Sequence, residues 1–121
     1  MVLVDTSVWV AHFREGDSHL KELLERGQVA CHPFIIGELA CGNLHNRKEI
    51  LSLMGALSAA VTAAHEEAMK FIENHYLMGV GLGYIDVHLL ASALLTPARI
   101  WTKDATLRSI ASRLNIAYGH S

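Results

Sequence analysis

Four acids sit where acids are hard to account for. Asp5 interrupts the apolar opening MVLVDTSVWV and is followed by two hydroxyls, Thr6 and Ser7. Glu38 is the only charge in PFIIGELACG, residues 33–42. Asp86 stands near the start of GLGYIDVHLLASALL, and Asp104 follows the apolar run in RIWTKDATL. The other acids keep polar company: Glu22 and Glu25 lie near Lys21 and Arg26, Glu49 beside Lys48, and Glu66 and Glu67 on a polar helix face. An ionised carboxylate does not leave water without a partner. Several carboxylates in one place repel one another and partly protonate. A hard divalent cation relieves both difficulties. Mg2+ or Mn2+ prefers oxygen ligands, keeps several waters and commonly bridges to phosphate. The chemistry open to such a set is metal-assisted reaction of a phosphoryl group.

Each acid also has an ordinary structural explanation. Asp5 and Asp104 suit helix N-caps. Asp86 suits a first turn facing the helix dipole. Glu38 could lie on the surface of a short helix, although its neighbours Ile, Leu, Ala and Cys argue against that. All four explanations holding together is a much stronger demand than any one. The hydroxyls of Thr6, Ser7 and Thr102 fit either helix capping or contacts to metal-bound water and phosphate oxygen.

The elements that must position these residues alternate along the chain. VLV (2–4) reads as a buried parallel strand. Helices are expected over 8–14 and 17–27, a strand over 28–32, and a helix over 33–42 that opens on proline. Two amphipathic helices follow over 47–57 and 65–79, with AAVT (59–62) a short strand between them and VGLG (80–83) a glycine-rich loop. A helix over 84–95 stops at Thr96-Pro97. A strand over 98–102, a helix over 104–115 and a last strand over 116–119 complete the chain. This alternation predicts an α/β fold, a three-layer α/β/α sandwich with a central parallel sheet, as one domain over 1–121. In open α/β sheets, ligands bind outside the carboxyl ends of the strands. Asp5 and Asp104 each follow a strand, and helix starts gather at the same edge. The four carboxylates are therefore expected to converge there within metal-bridging reach.

Composition sets bounds on function. The chain has 121 residues, is 51% hydrophobic and carries a net charge of −2. That is enough for a core and is not the basic balance of a general nucleic-acid binder. Cys31 and Cys41 lack CxxC spacing and read as two buried thiols. No apolar run is long enough to span a membrane, and no charged leader precedes the first strand, so the cytoplasm is the expected compartment. HEEAM (65–69) lacks the second histidine of a zinc-hydrolase motif. His12, His19, His65 and His75 read as ordinary helix-surface residues. A receiver-like or phosphatase-like Mg2+-binding phosphotransfer domain is the alternative. It would need an acidic pair or DxD after the first strand, where this chain has Asp5, Thr6 and Ser7.

Taken in order, LVDTSVWVAHFR, PFIIGELACG, GLGYIDVHLLASALL and IWTKDATL resemble the successive motifs of PIN-domain ribonucleases, most closely the VapC-type toxins of toxin–antitoxin pairs. The resemblance runs from residue 2 to about residue 117. It implies that Asp5, Glu38, Asp86 and Asp104 form an acidic site for Mg2+ or Mn2+, supported by Thr6, Ser7 and Thr102. It also implies an RNA substrate, a cut leaving a 5′-phosphate and a 3′-hydroxyl, a homodimer, and a protein antitoxin whose tail blocks the site. Arg14, Lys103 and Arg108 lie near these motifs and are candidates for phosphate contact. The apolar stretches VWVAHF, LSLMGAL and FIENHYLMG exceed what one face of so small a sandwich hides, which assigns the region 47–79 to the dimer contact or the antitoxin groove.

Overall fold

A computed structural model describes residues 1–119. Strand β1 (Val2–Val4) is three consecutive apolar residues, all buried, at the centre of a parallel sheet. Strand β2 (Val29–Cys31) pairs with it on one side, Val2 against Val29. Strand β4 (Arg99–Trp101) pairs on the other, Leu3 against Ile100 and Val4 against Trp101. A two-residue strand, β3 (Ser58–Ala59), extends β2, giving the order β3-β2-β1-β4. The connections carry seven helices among the described residues: α1 (Thr6–Glu15), α2 (Ser18–Glu25), α3 (Pro33–Cys41), α4 (Arg47–Gly55), α5 (His65–Asn74), α6 (Tyr84–Leu95) and α7 (Ala105–Arg113). They cover the sheet to give the expected α/β/α sandwich. Leu3, Val4, Val8, Leu20, Ile35, Leu39, Leu90 and Leu107 are each at most 2% exposed. Burying a side chain of this kind is worth roughly 1.5–3 kcal/mol.

Several boundaries differ from the sequence reading. Helix α1 starts at Thr6, because the Asp5 carbonyl accepts from Val8 N and Trp9 N. The helix expected over 65–79 ends at Asn74, and Tyr76 takes a left-handed backbone at φ 55°. The last strand contracts to one bridge, Ala117 to Ile100. The thiols are not both buried: Cys31 is, and burial pushes it up to about 11, whereas Cys41 is exposed. The four histidines are more than surface decoration. His12 Nδ1 accepts from Asp17 N at 2.9 Å, His19 pairs with Tyr118 OH at 2.7 Å, and His65 pairs with Tyr84 OH at 2.5 Å. His75 packs on Phe71 with ring centroids 4.5 Å apart. Among the described residues no helix is long and apolar enough to cross a membrane.

His32 joins β2 to α3 and gives a pH prediction. Its Nδ1 accepts from Phe34 N at 2.9 Å, capping α3, which requires the proton on Nε2. Nε2 is buried without a partner among the described residues. Burial, with the nearby His88 ring, lowers its pKa to about 4. The neutral ring is therefore favoured by folding. This stability is present above about pH 6.5 and is lost as pH falls through about 4, roughly 3 kcal/mol in all. Urea melts across this range should show a steeper acid loss for the wild type than for His32→Asn, which keeps a capping acceptor and does not titrate. Equal slopes would show that the ring is not held neutral.

Candidate active site

Asp5 stands where β1 meets α1 and is 8% exposed. Its backbone occupies the N-cap position, yet its carboxylate makes no capping bond. Instead Oδ2 accepts from Ser7 Oγ and from Thr102 Oγ1, each at 2.8 Å. Those hydroxyls also hold the chain leaving β4: Lys103 N donates to Ser7 Oγ at 2.9 Å and Asp104 N to Thr102 Oγ1 at 3.0 Å. The adjacent strands β1 and β4 are thus tied together at their carboxyl ends through one buried carboxylate. Its Oδ1 takes no hydrogen bond among the described residues.

Glu38 lies on the exposed side of α3 and accepts from Thr6 Oγ1 at 2.7 Å, which brings it to the residue after Asp5. Asp86 is the third residue of α6, a helix otherwise buried from Val87 to Ala93. Gly83 N donates to its Oδ2 at 3.2 Å, so its first-turn role is real. The chain enters α6 through Gly79 and Gly81, with φ 69° and 88°, a left-handed backbone that other residues adopt only at a cost. Asp104 caps α7, with Oδ2 accepting from Leu107 N at 3.4 Å.

The acids share an electrostatic field. Asp86 is raised above the usual carboxylate range, first by burial and further by the charges of Asp5, Asp104 and Glu38; the Gly83 amide opposes the shift. Among the described residues no cationic side chain forms an ion pair with any of the four acids. Among the described residues the single ion pair is Arg26–Glu22, on the exposed surface. Nor do the acids form a closed cage: no three His, Cys, Asp or Glu side chains among the described residues are close enough to hold one cation between them. Fewer than three of these side chains therefore reach one cation directly among the described residues, which leaves the set open. Open spacing lowers the repulsion among like charges. It still suits a hard cation, because Mg2+ keeps several waters and takes only one or two carboxylates directly. An all-oxygen donor set, with one buried carboxylate oriented by two hydroxyls and no competing cation, fits such an ion.

All three hydroxyls touch an acid: Thr6 touches Glu38, and Ser7 and Thr102 touch Asp5. Of the basic candidates, Arg14 lines a groove of about 520 Å3 with Thr6 and Glu38, and Arg108 donates to the Thr102 carbonyl at 3.1 Å. Lys103 is exposed. The contacts joining Ser7 and Thr102 to Asp5 could not be read in advance, because Thr102 lies 97 residues from Asp5 along the chain.

Comparison with known proteins agrees with this geometry. The chain matches the PIN domain over residues 2–113. It is 40% identical over 118 residues to Ribonuclease VapC32 of Mycobacterium tuberculosis, in strains CDC 1551 / Oshkosh and ATCC 25618 / H37Rv, covering 97% of this chain and 95% of the relative. The chain belongs to the PIN-domain family, as a member of its VapC type. A crystal structure of PAE2754 from Pyrobaculum aerophilum shares the fold, with a TM-score of 0.61 at 16% identity over 90% of this chain and 78% of that one.

Proposed function

We propose that this chain is a ribonuclease toxin that hydrolyses RNA phosphodiester bonds at the edge defined by Asp5, Glu38, Asp86 and Asp104, with Mg2+ or Mn2+ as cofactor. The observation that carries the reading is four mutually repelling acids gathered at one sheet edge, none of them in an ion pair among the described residues. A bound divalent ion would supply charge neutralisation at the phosphate and a more acidic water. Asp5, held in one orientation by Ser7 and Thr102, and Asp86, fixed by the Gly83 amide, are the best-positioned ligands. Glu38 and Asp104 complete the negative field and hold outer waters. Asp86, whose proton affinity is raised, is suited to orient or deprotonate the attacking water. Thr6 keeps Glu38 turned toward the site. The phosphotransfer alternative lacks the acidic pair or DxD that it needs after β1, where Asp5 is followed by Thr6 and Ser7.

Metal binding has a direct test. Melting the protein with increasing Mn2+ should raise Tm in proportion to the logarithm of metal concentration, by an amount equivalent to about 2.7 kcal/mol at one hundred times Kd. A Tm indifferent to Mg2+ and Mn2+ up to millimolar levels would overturn the metal assignment.

The same reading includes an antitoxin and a second copy of the chain. The groove beside Glu38 continues over Val10, Phe13, Leu39, Leu44 and Ile50. A second, apolar groove of about 420 Å3 shares Phe13 and Ile50 with it. A segment with an apolar face and a basic end fits this track and would cover the acids. Leu53, Met69, Tyr76 and Met78 are 47–75% exposed within residues 47–79, which supports homodimerisation through that region. Light scattering of the toxin alone at micromolar concentration should give twice the chain mass; a monomer mass would remove the dimer from the account.

A further inference from the structure

The outer edge of β4 carries a second polar groove that the acidic centre does not use. It has a volume of about 390 Å3 and is lined by Arg99, Arg108, Ser112, Asn115 and Tyr118 among others. Two features connect it to the site. Arg108 donates to the carbonyl of Thr102, whose hydroxyl holds Asp5. Asp104, Arg108 and Ser112 also follow helical spacing, so the stripe that begins at the acid cap of α7 runs into this groove. At 1.5 Å per residue the stripe is about 12 Å long, enough for more than one nucleotide.

The charge of the groove is unusual in a chain of net charge −2. Among the described residues neither guanidinium is paired with a carboxylate. Among the described residues Arg99 makes two long bonds, to the carbonyls of Asn115 at 3.5 Å and Ala117 at 3.3 Å. Arg108 spends one nitrogen on Thr102. A guanidinium has five N–H donors, so both retain several for an outside acceptor. Tyr118, hydrogen-bonded through its hydroxyl to His19, forms part of the same wall.

We infer that this groove is a backbone subsite for single-stranded RNA, in which Arg108 and Arg99 bind successive phosphates flanking the bond held at the acidic centre. The inference rests on the ribonuclease reading. It explains how an acidic protein attracts a polyanion: the cations lie beside the acids rather than among them. Phosphate contacts of this kind position the strand and read no sequence.

The test is binding of a labelled, mixed-sequence 20-nucleotide RNA in Mg2+, with Asp86→Asn in every protein so that the RNA stays intact, followed by anisotropy across a salt series. Arg99→Gln should weaken binding about five- to tenfold, and its log–log salt dependence should be shallower by about 0.7. Arg99→Lys should recover most of the affinity, which separates charge from any structural role of the carbonyl contacts. Lys21→Gln, on α2, serves as the surface-charge control and should bind as the wild type does. A wild type that binds and cuts RNA while Arg99→Gln and Arg108→Gln bind it with unchanged affinity and salt slope would overturn the subsite alone. A wild type that neither binds nor cuts RNA overturns the ribonuclease reading and the subsite together.

Discussion

Asp86→Asn should reduce RNA cleavage at least about hundredfold while leaving the metal-free protein as heat-stable as the wild type, or more so. The cleavage loss follows from removing a ligand that places the metal and its water. The stability result follows from the sign of the shift. Asp86 is raised by burial and by Asp5, Asp104 and Glu38. A carboxyl raised on folding stabilises when protonated, at low pH. That contribution is lost as pH rises through its folded value, so at neutral pH the ionised Asp86 strains the fold. Asparagine removes the charge and keeps an oxygen to accept from Gly83 N. Each relieved repulsion is worth about 1 kcal/mol at a partly exposed site. Divalent metal should then raise the wild-type Tm more than the mutant's, because the mutant binds it less tightly. A purely capping role for Asp86 gives the reverse: lower stability without metal and intact cleavage.

Asp5→Ala should behave differently and fail on both counts. Ser7 and Thr102 direct their hydroxyls at Asp5 Oδ2, and the same hydroxyls anchor Lys103 N and Asp104 N. Alanine removes the shared acceptor in a buried place. Leaving such groups unsatisfied costs about 1–3 kcal/mol, and cleavage should fall by at least the factor expected for Asp86→Asn. Asp5→Asn separates the two effects, since an amide oxygen can accept from both hydroxyls. It should regain most of the stability and little of the activity. Thermal melts with parallel cleavage assays distinguish these outcomes, and an Asp5→Ala protein as stable as the wild type would show that the hydroxyl network holds nothing together.

The contrast between these residues also marks what was legible in advance. An ionised side chain inside an apolar run is conspicuous on its own, which is why Asp5, Glu38, Asp86 and Asp104 could be picked out without a structure. Strand β1 and helix α6 were equally plain, because continuous apolar runs leave few options for burial. What depends on distant partners was hidden. Nothing near Thr102 in the sequence points to Asp5, and nothing near Arg99 points to Arg108 and α7. Local backbone energetics set the errors at element ends: the left-handed turn at Tyr76 ends α5 early, and IAYG finds only β4 to pair with through Ala117. Cys41 was misread as buried because its apolar neighbours in α3 face the core while it does not. The open spacing of the acids was also out of reach, since sequence gives the edge on which carboxylates gather but not their separation.

Metal-dependent RNA cleavage by these acids is open to a direct test. The most direct measurement incubates purified wild-type protein and Asp86→Asn with total RNA, with Mg2+ or with EDTA, and maps the new 5′ ends. Discrete new ends bearing 5′-phosphates are expected for the wild type in Mg2+, and none above background in EDTA or with Asp86→Asn. Equal cleavage in EDTA, or undiminished cleavage by Asp86→Asn, would contradict it.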